Sequence, residues 1–319
     1  MASTRDIQRR IKSVKNTKKI TKAMELVSAV KMRKAVEAVL KTRSYANLSW
    51  LTVLNLAKAA EKNRKLHRLL HPRTEIKKVG IILITSNRGL CGGFNVAVLN
   101  KVRESVEKHH YENNKIKIEA EFVLVGKKGA SIYHRFGHTI VAEFPKLDIA
   151  TEVNEIVPIA KMVIDDYLTG KYDRIMLAYT DFVSAVKQVP RVKQLLPVDV
   201  ENMDQYLGTV GKGESSADVA GIMAKKQEKY FHDREYIFEP SAKDVLDEMI
   251  PRLLEIQMFQ ALLESNASEH SARMVAMRNA TDAAGDMIDD LTLTYNKARQ
   301  ASITAEIAEI AGGAVALKS

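Results

Sequence analysis

The chain has 319 residues, of which 46% are hydrophobic, 28% are charged and 6% are aromatic. This composition provides a real core for about two domains and excludes a wholly disordered chain. Only 15 glycines and 7 prolines interrupt the sequence, which favours long helices over an all-β fold. The net charge of +10 predicts an anionic partner without fixing its kind.

Several classes of protein are excluded at this stage. The single cysteine, Cys91, cannot form an internal disulfide or a cysteine-based zinc site. The longest apolar stretch, residues 79–85, is far shorter than the roughly 20 residues of a membrane-spanning helix, so we expect no direct membrane insertion. The charged N-terminus argues against a secretory signal, and a reducing compartment is expected.

The two ends of the chain differ in charge and both predict long helices. Residues 1–70 contain 18 Lys and Arg against 4 Asp and Glu, whereas residues 241–319 contain 7 against 12. Glycine and proline are nearly absent from both segments. Apolar residues recur with 3,4 spacing through more than eight heptads from Leu246 to Ala305, which is typical of a coiled coil. The N-terminal stripe is shorter: Ile7, Ile11, Val14, Ile20, Met24 and Val27.

A coiled-coil seam needs a second helix. We expect residues 1–70 and 240–319 to pair with each other as an antiparallel coiled coil, and a dimer between two chains is the alternative. Ser241 and Asp244 have the spacing of a capping box and predict a helix start there. Pro251 either kinks the first turns or is the first helical residue.

Between the ends, short strands alternate with helices, which predicts a Rossmann-like α/β domain over residues 76–200. Two prolines, Pro190 and Pro197, make residues 188–200 a predicted edge strand. Residues 201–235 are rich in glycine and serine and then in charge, and predict an insertion or linker. The other predicted strands are 79–85, 116–125, 139–144 and 174–179, and the predicted helices are 94–111, 129–136 and 152–168.

The turn after the first strand, Ser86–Asn95, occupies the position at which α/β folds bind phosphate. It lacks both the Lys-Ser/Thr of a P-loop and the spacing of a dinucleotide fingerprint, so a tight turn that presents Arg88 is the preferred interpretation. Cys91 is a weak candidate nucleophile because no base lies near it in the sequence. A nucleotide-dependent α/β enzyme therefore remains a distant alternative.

No other cluster indicates catalysis, a metal or a cofactor. The pairs His109–His110 and His134–His138 lack the carboxylate or thiolate that would complete a ligand set. The basic run Arg5–Lys34 resembles a DNA-reading helix, but it also carries the apolar stripe. A basic coiled-coil nucleic-acid binder is therefore the alternative function, and a protein partner with an acidic surface is preferred.

Five segments together resemble the gamma-subunit family of F-type ATP synthases. The resemblance covers both terminal helices and most of the middle, and motifs of this length in this order are highly specific. The segments are IQRRIKSVKNTKKITKAMELVSAVKMRK (7–34), SNRGLCGGFN (86–95), QVPRVKQLLP (188–197), SEHSARMVAMRNATDAAGDMI (268–288) and YNKARQASITAEIAEIAGGAVAL (295–317).

This resemblance implies a central rotor shaft whose coiled coil turns inside a ring of three alpha and three beta subunits. It implies no catalytic residue, cofactor, metal or nucleic acid for the chain itself. It also implies an epsilon subunit and a membrane c-ring as partners, and a peripheral position at the cytoplasmic face of a bacterial plasma membrane. The insertion lies where photosynthetic relatives carry a redox switch, but it contains no cysteine, so that switch is not expected.

The resemblance also assigns contact residues. Arg299, Gln300 and Thr304 are expected to make polar contacts with a beta subunit. A second group is expected near an acidic loop of beta: Met24, Lys31, Arg33, Lys34, Arg88 and Cys91. At the foot of the shaft, the contacts expected with the ring and epsilon come from Tyr236, Phe238 and Glu239.

Overall fold

A computed structural model describes residues 4–59, 68–70, 73, 75–112, 118–148, 152–198, 239 and 241–316. The chain divides into two compact units, Met1–Ser28 with Arg273–Ser319 (unit 1) and Ala29–Ala272 (unit 2). Each terminal helix contributes a segment to both units. The predicted insertion, residues 201–235, lies outside the described residues.

The elements follow the predicted order of a helix, an alternating α/β region and a second helix. In chain order they are α1 (Thr4–Ala59), a 3₁₀ turn (Arg68–Leu70), β1 (Lys78–Ile84), α2 (Phe94–Glu112), β2 (Glu119–Val125), α3 (Lys127–Arg135), β3 (Thr139–Phe144), a second 3₁₀ turn (Val153–Glu155), α4 (Val157–Leu168), β4 (Arg174–Phe182), β5 (Gln188–Leu196) and α5 (Ala242–Ala316).

Five strands of unit 2 form one sheet in the order β3-β2-β1-β4-β5. The first four are parallel, and β5 runs antiparallel to β4 at one edge. Pro190 lies in β5, which confirms the predicted edge position because proline cannot donate to a central ladder. The predicted α/β fold is confirmed.

Several helix boundaries differ from the sequence-based expectation. Helix α4 begins at Val157 rather than at 152, because Pro158 in its first turn has no N–H to donate to a preceding turn. Leu70 lies in a 3₁₀ turn instead of continuing α1. Pro251 lies inside α5, so it is not the first helical residue. The predicted cap is confirmed: the Asp244 N–H donates to Ser241 Oγ at 3.2 Å.

The sheet of unit 2 is covered by helices on both faces. Ile81 of β1 packs with Val98 of α2 on one face. Its neighbour Ile82 lies in the opposite core with α4 and with Val39 and Leu254 of the two terminal helices. Successive strand residues point to opposite faces, so an almost wholly apolar β1 supplies both cores.

In unit 1 the two terminal helices pack against each other within one chain. Thr281 Oγ1 donates to Thr21 Oγ1 at 2.8 Å, and a Cβ added at Gly285 would lie 2.9 Å from Lys18 Nζ. Contacts therefore advance along α5 as they retreat along α1, which is the antiparallel sense. This pair is formed by the two ends of one chain.

The apolar stripe predicted on α1 was wrong at two positions. Ile20 and Val27 are 61% and 56% exposed, whereas Thr21 is half-buried and Ser28 is buried. The 4,3 spacing that begins at Ile7 leads to positions 21 and 28, so geometry selects small polar residues for the seam. Two large apolar side chains consequently face outward.

The carboxyl ends of β1 and β2 meet closely at Gly126. Its φ is +101°, and an added Cβ would collide with the carbonyl group of Thr85. Thr85 is fully buried, and its Oγ1 accepts a hydrogen bond from the Gly129 N–H at 2.9 Å. This close approach requires glycine at position 126.

We expect Gly126→Ala to destabilise unit 2 by about 3 kcal/mol or more, because a positive φ and a backbone collision add together. Gly137→Ala is the matched control: Gly137 also has a positive φ, +71°, but nothing lies within 4 Å of its added Cβ. Its expected cost is about 1–2 kcal/mol. Urea unfolding followed by circular dichroism measures both, and equal losses would contradict the collision.

Asp173 joins the starts of β1 and β4. Its Oδ2 accepts hydrogen bonds from the backbone N–H groups of Lys77 and Lys78, each at 2.9 Å, and its Oδ1 lies 3.0 Å from Arg73 Nη1. Burial alone would raise the pKa of this carboxyl, but the two backbone donors and Arg73 outweigh burial and lower the pKa.

A lowered pKa means that Asp173 stabilises the fold above its ordinary pKa of about 3.9 and ceases to do so as pH falls through the lower folded value. We expect Asp173→Asn to cost about 1–3 kcal/mol at pH 7 and progressively less below about pH 4. The exposed Asp165 provides a control, Asp165→Asn. Urea midpoints at several pH values test this, and a loss independent of pH would contradict it.

Candidate interaction surfaces

The turn between β1 and α2 closes on its own polar groups. Ser86 Oγ donates to the Arg88 carbonyl at 2.8 Å, and Asn95 Nδ2 donates to Ser86 Oγ at 2.7 Å. The Ser86 N–H donates to Asn95 Oδ1 at 3.0 Å, and Leu90 has a positive φ of 62°. These hydrogen-bond donors are therefore used within the turn, and Arg88 and Leu90 are exposed at its surface. This geometry fits the preferred interpretation of the sequence.

Cys91 lies inside the same turn, only 2% exposed. Its Sγ is within 3.4 Å of Asn95 Nδ2, 3.8 Å of Ser86 Oγ and 3.9 Å of the Arg88 carbonyl oxygen. None of these three groups is a base that could activate a thiol. The structure places the Cys91 side chain in the packing of the turn, beneath the exposed Arg88.

A polar cluster, which we call the Asp148 cluster, forms where the turn, the segment after β3 and the two terminal helices meet in unit 2. Lys31 Nζ of α1 donates to Asp148 Oδ2 at 2.6 Å. His270 Nε2 of α5 donates to the Asp148 carbonyl at 2.8 Å. The hydrogen bond from Lys31 lowers the pKa of the Asp148 carboxyl, burial opposes it, and the positive charge of Arg88 adds to the lowering.

A buried ion pair anchors the segment before Asp148. Lys146 Nζ lies 2.7 Å from Glu269 Oε2, and the two side chains are 1% and 6% exposed. The Lys146 carbonyl accepts a hydrogen bond from Asn87 Nδ2, and the next carbonyl, that of Leu147, accepts one from Asn266 Nδ2 at 3.4 Å. The backbone of residues 146–148 is therefore fixed from two sides.

The structure brings together only some of the residues singled out by the resemblance. Lys31 and Arg88 meet at the Asp148 cluster, and Cys91 lies beneath Arg88. Other members are exposed on the helices: Arg33 and Lys34 on α1, and Arg299, Gln300 and Thr304 on α5. Met24 is half-buried on α1 in unit 1. Glu239 is exposed, whereas Tyr236 and Phe238 lie outside the described residues.

Sequence reasoning missed Asp148, Lys146 and Glu269. The available signal was the polar run from Glu264 to Ser271 inside an otherwise apolar helix pattern. Residues 261–271 are all buried. They form further hydrogen bonds with the sheet domain: Ser268 Oγ donates to the Thr180 carbonyl at 3.2 Å, and Ser271 Oγ donates to the Ala185 carbonyl at 2.6 Å.

The described residues contain no group of three or more His, Cys, Asp or Glu side chains that could hold a metal ion. His134 Nε2 lies 2.6 Å from Glu143 Oε1 as an exposed pair, and His138 packs beside the Phe122 and Tyr133 rings. The structure does not describe the side chains of His109 and His110. No described helix is long and apolar enough to cross a membrane.

The structure defines a protein with an α/β domain built on a mixed sheet and with an antiparallel pair of its own terminal helices. A family model described as ATP synthase matches residues 3–317. An ATP synthase gamma chain of Herpetosiphon aurantiacus is 41% identical over 322 residues and covers 99% of both chains. One of Nitrosococcus oceani is 40% identical over 321 residues, covering 99% of this chain and 100% of that one. The chain belongs to the ATP synthase gamma chain family.

Two solved structures have a similar fold. The central stalk/c-ring structure of Tetrahymena thermophila mitochondrial ATP synthase gives a TM-score of 0.58 at 24% identity, covering 82% of this chain and 99% of that chain. The rotor of Euglena gracilis mitochondrial ATP synthase gives 0.59 at 19% identity, covering 94% and 98%. These likenesses concern the fold. The nucleic-acid alternative finds no support among the relatives.

The buried Lys146–Glu269 pair yields a stability prediction. We expect Lys146→Met and Glu269→Leu each to cost about 3–5 kcal/mol, because each removes one charge of a buried ion pair. The double variant Lys146→Met/Glu269→Leu should recover much of that loss, since no buried charge remains. Urea unfolding of all four proteins gives the coupling energy. Additive losses would show that the two groups do not depend on each other.

Proposed function

We propose that this chain is the central rotor shaft of an ATP synthase and couples proton flow to conformational change in catalytic beta subunits. The supporting observation is the C-terminal part of α5. Every residue from Arg299 to Ala311 is exposed, including Ile303, Ile307 and Ile310. A single helix of this length is marginal in water by itself, and its apolar residues call for a surrounding protein surface.

That surrounding surface is the ring of three alpha and three beta subunits. Ile303, Ile307 and Ile310 recur at helical spacing, so they offer an apolar stripe to the ring. Arg299, Gln300 and Thr304 provide polar contacts with a beta subunit. The Thr304 hydroxyl donates to the Gln300 carbonyl at 2.9 Å, so its oxygen can still accept a bond from a partner.

The basic surface of α1 and of the turn meets an acidic loop of beta. Lys31, Arg33, Lys34 and Arg88 supply the positive charge, and Met24 packs at the neighbouring level. Cys91 acts through the turn, because its buried thiol supports the exposed Arg88. At the other end of the assembly, the c-ring and epsilon subunit contact Tyr236, Phe238 and Glu239.

The mechanism is coupling and not chemistry in this chain. Proton flow turns the membrane ring and the ring turns the shaft. An asymmetric shaft presents a different face to each beta subunit, which biases that subunit among states of different nucleotide affinity. ATP is made on beta, and the shaft is peripheral to a bacterial plasma membrane on its cytoplasmic side, without catalytic residues, cofactor or nucleic acid.

The double variant Arg299→Ala/Gln300→Ala tests this proposal in the assembled complex. Loss of a charge-assisted and a neutral hydrogen bond should lower ATP-driven proton pumping about tenfold or more. The chain should still co-purify with alpha and beta, because the apolar stripe is retained. Pumping is measured by quenching of a pH-sensitive dye in membrane vesicles.

Glu309→Ala is the matched control, since Glu309 is exposed on the same helix and about 180° around it from Gln300. It should pump at the level of the unchanged complex. A fully coupled double variant would count against these two contacts. A chain that does not co-purify with alpha and beta would count against the rotor itself.

A further inference from the structure

The Asp148 cluster contains a partly exposed ion pair between Lys31 and Asp148. The proposed contact with beta involves the same lysine. Lys31 Nζ and Asp148 Oδ2 are 2.6 Å apart, and the two side chains are 29% and 36% exposed. Lys31 is also one of the residues expected to meet an acidic segment of beta. In the isolated chain its ammonium group already has a carboxylate partner.

The two halves of this ion pair are held differently. The backbone of Asp148 is fixed by His270, and the preceding residue by Asn266. Lys31 is a long, flexible side chain on α1, and its amino group moves easily by rotation about its own bonds. A second carboxylate can thus attract the ammonium group while Asp148 stays in place.

We propose that Asp148 is a displaceable counter-ion, which holds Lys31 in the free chain and yields it to a carboxylate of the acidic partner segment on assembly. This inference rests on the proposed rotor function. Asp148 pairs with the Lys31 ammonium group only until the partner carboxylate replaces it, so the later contact with the partner does not depend on Asp148.

The energetics favour exchange at this pair. Ion pairs between partly exposed groups contribute little stability, so replacing one carboxylate with another costs little. After exchange, Asp148 retains the favourable positive charge of Arg88, which acts on its carboxyl in the free chain. The neighbouring Lys146–Glu269 pair cannot exchange in this way, because its two side chains are buried.

A carbodiimide tests the exchange, because it joins an ammonium and a carboxylate in direct contact as an amide with no added atoms. In the isolated full-length chain, peptide mass spectrometry should find the Lys31–Asp148 amide. In the complex with alpha and beta, the yield of this product should fall about fivefold or more, which is the smallest change typical of coupling between two binding sites. An amide from Lys31 to a beta carboxylate should appear at the same time.

Lys171–Asp166 is the matched control, at 2.8 Å with side chains 35% and 23% exposed. Its amide should form equally in the isolated chain and in the complex. Lys31→Arg should abolish both Lys31 products, since a guanidinium does not form this amide. In the complex, Asp148→Asn should keep or increase the amide to beta, because the competing carboxylate is gone.

The outcomes separate the two proposals. If the complex assembles and the Lys31–Asp148 amide persists at its isolated level without a product to beta, the exchange is wrong and the rotor function stands. Loss of the amide to beta in Asp148→Asn would equally overturn the exchange. If the chain does not assemble with alpha and beta, both proposals fail.

Discussion

Burial of polar residues in helix α5 is the constraint on which unit 2 depends. Between residues 261 and 271 the helix is enclosed on all sides, yet it carries carboxylate, amide, hydroxyl and imidazole groups. Several of these groups are paired, and an unpaired buried polar group costs free energy comparable to a lost hydrogen bond. The partners come from the sheet domain: Lys146 for Glu269, the Leu147 carbonyl for Asn266 and the Asp148 carbonyl for His270. The register of α5 against the sheet is therefore fixed chemically as well as by shape.

The contact between the two helices of unit 1 is formed by a different kind of residue. The seam contains Thr21 and Thr281, which are joined by a hydrogen bond, and Gly285, whose missing side chain leaves room for the Lys18 amino group. Small residues allow the helices to approach closely. The same choice leaves Ile20 and Val27 facing outward, where they add apolar area to the outer surface of the helix. An outer surface rich in apolar side chains suits the proposed position of this helix pair inside a ring of partner subunits.

Much of this architecture was predictable from the sequence, and the failures have physical reasons. The strands at 79–85 and 139–144 are short β-branched runs with clear ends. The apolar heptad repeat of α5 continues for longer than chance would produce. The half-buried positions Ile288, Leu291, Tyr295 and Ala298 follow the predicted seam. Ile20 was misassigned because apolar character was weighed above the 4,3 spacing, which selects Thr21. Asp148 was missed because its partners are 117 and 122 residues away, and a one-dimensional pattern does not reveal such contacts.

The position of the positive charge along the chain says more about the expected partner than the net charge does. Three acidic residues of α1 take basic partners one turn away on the same helix: Asp6 with Arg9, Glu25 with Lys22 and Glu37 with Lys41. These short-range pairs consume few of the 18 basic residues in the first seventy, so α1 keeps a large positive excess that its own acids do not balance. Asp148 lies apart from them because its carboxylate comes from the sheet domain and meets α1 next to Arg88. A carboxylate that reaches the basic helix from another element resembles, in its chemistry, the approach of an acidic partner segment. This is why the ion pair it forms is the one that such a partner is able to replace.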